Sequence, residues 1–151
     1  MRTHLRKNER GAALLETAIT LPLILLVAVG IFEFGRAYQT WQVLTNAARE
    51  GARVAILSEK TDADVQATVT EYLKAGGLPC VGTSPPKGCR GAASVTMDRN
   101  VPMGANSASQ ISVNYPFDFM VLGPVMKLVT TTSSLETART MQSVALMRNE
   151  G

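Results

Sequence analysis

Three features of this chain carry residues that could take part in chemistry: a Gly11-Ala12 junction behind a basic flank, a single acid in an apolar run, and two cysteines. Gly11 follows Arg10 and precedes Ala12-Ala13-Leu14-Leu15-Glu16-Thr17. From Thr17 to Phe32 there are 16 residues without formal charge, about 24 Å of helix, which is short of a hydrocarbon core of about 30 Å. Starting at Ala12 makes the span 21 residues, or about 31 Å, but places Glu16 inside the apolar helix or at its edge. An acid there is costly unless it finds a partner. One is conceivable: a cut after Gly11 would leave an α-amine on Ala12, a cation within one turn of Glu16 or of the same acid on a neighbouring copy, and pairing would lower the cost of burying both charges. Otherwise Glu16 is a partly hydrated acid at the membrane interface.

Catalytic arrangements are hard to find elsewhere. The one histidine, His4, belongs to the N-terminal flank, so the rest of the chain lacks the base of a Ser-His-Asp or Cys-His set. No phosphate-binding glycine loop, zinc-protease helix or dinucleotide fingerprint occurs. Asp98 and Asp118 could be imagined as paired carboxylates for hydrolysis, but nothing in their positions supports it. The residues argue against an enzyme. No cofactor, metal or small-molecule substrate is expected.

The apolar segment is too long for the core of a cleaved secretory signal, and Glu33-Phe34-Gly35-Arg36 follows it in place of a small-residue cleavage site. A retained membrane helix is the better reading. Pro22 lies inside it, removing one backbone donor and crowding the carbonyl of Ala18, so a kink or looser turn is expected. The net charge of +3 does not mark a nucleic-acid surface. Arg2, Arg6, Lys7 and Arg10 against Glu9 supply all of it, and the other 140 residues are balanced, 11 bases against 11 acids. That bias keeps the N-terminus cytoplasmic and places the rest outside. In an extracytoplasmic loop rich in Gly and Pro, Cys80 and Cys89 read as a disulfide, which would contribute about 2 to 3 kcal/mol. A metal site would need two further ligands, and His4 is across the membrane.

Gly11-Ala12-Ala13-Leu14-Leu15-Glu16 between a basic leader and an apolar helix resembles the prepilin cleavage pattern of type IV pilins. More closely, RGAALLETAITLPLILLVAVGIFEFGRA with LTNAAREGARVA downstream resembles the TadE-like family, minor pilin-like proteins of tight-adherence (Flp) pilus systems. The similarity is dense from Arg10 to about Ala55; Val113-Asn114-Tyr115-Pro116-Phe117 and Met147-Arg148-Asn149-Glu150 are short further signatures. Relatives often carry an aromatic after the acid, where this chain has Thr17. The resemblance implies cleavage by a prepilin peptidase between Gly11 and Ala12, residence in the bacterial cytoplasmic membrane, and partners among pilin-like subunits and the assembly platform. It also implies that a helix softened at Pro22 helps subunits pack. The competing readings are an uncleaved, signal-anchored protein whose head binds another envelope protein, a pseudopilin of a type II secretion machine, and a tethered hydrolase.

The expected architecture is α+β and pilin-like. It comprises a leader at 1–11, a transmembrane helix at 12–35, an extracytoplasmic continuation at 36–57 and a globular head at 58–151. Phe34, Tyr38, Trp41, Leu44, Ala48 and Ala52 follow helical spacing, with Tyr38 and Trp41 placed for an interfacial aromatic belt. The small residues of Ala47 to Arg53 suit close helix packing, within the head or between subunits; Arg49 and Arg53 read as a solvated face. A second helix is expected to start at Thr61-Asp62-Ala63-Asp64, where the acids cap and do not bind metal, to bury Val65, Val69, Tyr72 and Leu73, to stop at Gly76-Gly77 and to lie on the sheet. Three or four antiparallel strands complete the head. Ser94 to Asp98 is one, and Gln110 to Phe119, with its unbroken alternation Ile111, Val113, Tyr115, Phe117, Phe119, is another. Asn100 to Ala108 reads as a loop, Leu122 to Val129 as a helical turn, and Thr130 to Leu146 as a terminal strand, although Leu135, Ala138, Met141 and Ala145 would also suit a helix.

Overall fold

The computed structural model describes residues 9–82, 89, 91–104, 106–121, 123–124 and 139–149, with side chains from Gly11 onward. The leader residues Arg2, His4, Arg6 and Lys7 lie outside that set. Helix α1 spans Glu9–Ala55, 47 residues and about 70 Å, and continues through Pro22 without a break. It stops two residues short of Leu57 in a turn closed by Leu57 N–H on the Val54 carbonyl (3.2 Å) and Lys60 N–H on the Leu57 carbonyl (3.1 Å).

α1 divides by its surroundings. Residues 11–28 are exposed throughout. From Glu33 a buried stripe begins and recurs at Ala37, Thr40, Leu44, Ala47, Ala48, Gly51, Ala52 and Ala55, the spacing of one helical face. The stripe expected through Phe34, Tyr38 and Trp41 is therefore split. Those aromatics lie one position round the helix from Glu33, Ala37 and Thr40 and are 67%, 61% and 47% exposed, so only Leu44, Ala48 and Ala52 of that set enter the core.

Helix α2, Asp62–Ala75, begins with a capping box: the Thr61 hydroxyl accepts from Asp64 N–H at 3.3 Å and the Asp64 carboxylate accepts from Thr61 N–H at 2.9 Å. Gly77, at φ 77°, turns the chain out, and Leu78 N–H closes on the Leu73 carbonyl at 3.1 Å. Val65, Val69 and Leu73 are buried while Tyr72 is exposed, because α2 packs chiefly on α1 and barely touches the sheet it was expected to cover. Gly51 permits the approach. A Cβ there would come within 2.5 Å of a Val69 methyl and 3.4 Å of an Ile111 methyl.

The described strands form one antiparallel sheet in the order β1-β2-β3: β1 is Ser94–Met103, β2 Asn106–Phe117 and β3 Arg139–Arg148. The expected loop from Asn100 to Ala108 is instead mostly strand. Met103 pairs with Asn106 and the chain reverses at Gly104, whose φ of 65° suits glycine. Pro102 is compatible with pairing because β1 is an edge. Val95, Met97, Ile111, Val113, Tyr115, Met141, Ser143 and Ala145 turn toward α1 in register, with Val113 opposite both Val95 and Ser143. β2 ends at Phe117, and Phe119 lies beyond it, edge-on to Phe117 at 5.3 Å. The terminal strand is present over 139–148. Gly123 and Pro124 are helical; the rest of the expected turn at 122–129 and residues 130–138 lie outside the described residues.

Candidate functional site

Gly11, Ala12, Glu16 and Pro22 all lie on the exposed stretch of α1, away from the head. No other described part of the chain comes within 4 Å of a Cβ built on Gly11. The two polar residues beside Glu16 are satisfied internally: the Thr17 hydroxyl donates to the Ala13 carbonyl at 2.9 Å and the Thr20 hydroxyl to the Glu16 carbonyl at 2.7 Å. Such back-bonding lets hydroxyls enter a membrane cheaply. Glu16 itself remains exposed, on a helix long and apolar enough to cross a membrane.

Where that helix meets the head, the structure contains a cluster that sequence reasoning missed. Glu33 is 0% exposed. One carboxylate oxygen accepts from Val121 N–H at 2.6 Å, while the other lies 3.6 Å from the Arg36 guanidinium, one helical turn on. Arg36 in turn donates to the Asp118 carbonyl and stands over the Phe117 ring at 5.0 Å. Glu33 Oε2 and Arg36 Nε make no hydrogen bond among the described residues, so the cluster is held by the Val121 and Asp118 backbone contacts and by charge. An acid and a base three apart at the end of an apolar run were the available signal; their partners, 88 and 82 residues away, were not.

Beside Arg36 opens a cleft of about 460 Å³, bordered by Gln39, Gly77, Leu78, Tyr115 and Asp118 and by the disulfide. The bridge joins Cys80 to Cys89 with Cα atoms 5.5 Å apart. The Cys80 carbonyl accepts from Ala93 N–H at 2.8 Å, tying the bridged segment to the start of β1. Burial pushes the Tyr115 phenol above its ordinary range, against the opposing effects of the Cys80 backbone amide and the Arg36 charge.

Two further side chains hold the head together. A bulge in β1 between Asp98 and Val101 aims Arg99 at the junction of the helices. Its guanidinium donates to the Ala55 carbonyl at 2.8 Å, the Lys60 carbonyl at 2.9 Å and the Asp62 carboxylate at 2.9 Å. Asp62 and Asp64 thus serve the start of α2. Asp98 caps Asn100 N–H at 3.0 Å and pairs across the sheet with Gln110. Asp118 lies past Phe117, the end of β2, so about 24 Å of strand separates the two acids that could be imagined as a hydrolytic pair. Among the described residues no group of three His, Cys, Asp or Glu could hold a metal ion.

Residues 11–53 match the family model of TadE-like protein. Over that segment, less than a third of its length, the chain is similar to the TadE-like family. No curated protein and no solved structure matches it. The TadE-like segment takes in the exposed apolar helix, Glu16, Pro22, the Glu33–Arg36 pair and the small-residue packing face up to Arg53, and it stops before α2 and the sheet. TadE-like character points to a structural component related to pilus assembly, and the apolar helix suggests membrane anchoring.

Proposed function

We propose that the chain is a minor pilin-like component needed for assembly of a tight-adherence (Flp-type) pilus, cut by a prepilin peptidase between Gly11 and Ala12 and packed against other subunits through α1. The observation that carries this reading is the coincidence of the TadE-like match with a helix whose residues 11–28 project bare and apolar from the head. In this mechanism the leader stays cytoplasmic and the head extracytoplasmic. Cleavage frees the Ala12 amine, and Glu16 of one copy attracts the amine of another, a pairing that strengthens as lipid excludes water and so sets axial register. Pro22, less than two turns beyond Glu16, softens the helix during docking.

The deciding measurement is the N-terminal sequence and intact mass of the protein recovered from native membranes. A start at Ala12 is the expected result. A start at Met1 would overturn the processed-pilin mechanism in favour of an uncleaved, signal-anchored protein whose head binds an envelope partner.

A further inference from the structure

The Glu33–Val121 bond fixes more than the angle of the head. It brings a loop from the far side of the fold, residues 118–121, to the height of Glu33 on α1. Counted along the helix, Glu33 stands about 33 Å beyond Gly11, the distance at which a span entering at the basic flank leaves the hydrocarbon core. At that height Phe34 is 67% exposed on the helix. On the loop, Met120 is 64% and Val121 38% exposed. Loops facing water are ordinarily polar, whereas Phe119-Met120-Val121 is uniformly apolar. Of the charges at this level, Glu33 is sealed between helix and loop, Arg36 is half-buried and engaged by Glu33 and the Asp118 carbonyl, and Asp118 itself is half-buried at the start of the loop.

We propose that Met120 and Val121 form a second membrane contact, seated in the outer lipid interface beside Phe34, with the Glu33–Val121 and Arg36–Asp118 contacts holding the loop there. The occupant is the boundary of the same bilayer that α1 crosses, since the loop is tied to α1 at the point where the helix emerges. This inference rests on the membrane-anchored reading of α1. It explains what the junction cluster is for, because the loop and the helix end then enter the interface as one body and the head stands at a defined angle and height above the lipid.

The test places a single indole at chosen positions in the full chain, with Trp41→Phe as background, reconstituted in phosphatidylcholine and phosphatidylglycerol vesicles with and without bromine on shallow acyl carbons. The variants are Phe34→Trp, Met120→Trp and Val121→Trp, with Gln66→Trp as the control. Gln66 follows Val65, which packs beside Gly51, 18 residues or about 27 Å further along α1. The exposure of Phe34 and Met120 leaves room for the indole, and Val121 provides a second reporter on the loop. The expected result is quenching at 34 and, to at least half that extent, at 120 and 121, with none at 66. Quenching at 34 but not at 120 or 121 would overturn the proposal while leaving the anchor intact; if the loop indole were then shielded in proportion to protein density, another protein covers it. Quenching at none of the positions would remove the membrane-anchored reading and the proposal together. Quenching at all four would mean the head lies flat on the lipid, which also overturns it.

Discussion

The side-chain amide of Asn149 donates to the backbone carbonyl of Arg99 at 3.0 Å, joining the end of the last strand to the bulge in the first across β2. The same amide donates to the Ser107 hydroxyl at 3.1 Å, its oxygen accepts from the Ser109 hydroxyl at 2.7 Å, and its backbone N–H donates to the Ser107 carbonyl at 3.0 Å. All three strands are thus pinned at one end. Since Arg99 also carries the α1–α2 connection, the two residues form one path from the C-terminus to both helices. Asn149→Ala removes three side-chain bonds and leaves the buried Ser109 hydroxyl without its acceptor, so we expect a loss of about 2 to 3 kcal/mol in urea unfolding. Arg99→Ala should cost a similar amount, and the double variant less than the sum, because the residues share a network.

Gly51→Ala tests the closest approach of α1 and α2. The added methyl meets a Val69 methyl at 2.5 Å, so either the helices part or a side chain leaves its rotamer. We expect about 1 to 3 kcal/mol of destabilisation in spite of the better helix propensity of alanine. Gly51→Ala combined with Val69→Ala should recover part of it.

The start of α2 should be sensitive to acid. Bonds from the Thr61 backbone and hydroxyl hold the Asp64 carboxyl below its ordinary value of 3.8. A carboxylate with a lowered pKa in the folded state contributes stability that is present above that ordinary value and lost as pH falls through the lower, folded one. Asp64→Asn should therefore be less stable than the parent at pH 7, and the gap should narrow as pH falls below about 4. Unfolding followed by circular dichroism across this window checks it. A gap that stays constant with pH would remove Asp64 from the acid response.

Glu16→Ala should leave the protein inserted in the membrane, since it removes the only acid from the apolar stretch, yet impair pilus formation. Electron microscopy of cells carrying the variant checks this. Normal pilus numbers would take Glu16 out of the assembly mechanism.

Much of the fold was legible where local chemistry and tertiary packing agree. The apolar run, the Thr61 to Asp64 cap, the Gly76-Gly77 stop, the alternation from Ile111 to Phe117 and the Cys80–Cys89 bridge each rest on neighbours in sequence. Reading failed where a partner outside the segment decides. Asn100 to Ala108 has a loop's composition, but an edge strand tolerates Pro102 and the bulge absorbs Asn100. Phe34, Tyr38 and Trp41 have helical spacing, but the head takes the adjacent face, because its small residues admit the sheet and α2 more closely. Glu33 read as the charged end of a hydrophobic segment; only the fold reveals Val121 above it. Asn149 belongs to a short terminal signature whose neighbours give no hint of its bonds, since Arg99, Ser107 and Ser109 are between 40 and 50 residues away.

The continuity of α1 makes the molecule a lever. The apolar portion proposed to lie in the membrane and the head's central support are one helix, and the head grips it from Glu33 to Ala55. Membrane helices commonly lean by about 20°, and over those last 22 residues such a lean carries Ala55 sideways by about 11 Å. A change in bilayer thickness, or a neighbour pressing on the apolar shaft below Glu33, is then read out as a sweep of the sheet and α2 above. With α1 anchored as proposed, what the head can reach is decided in the lipid.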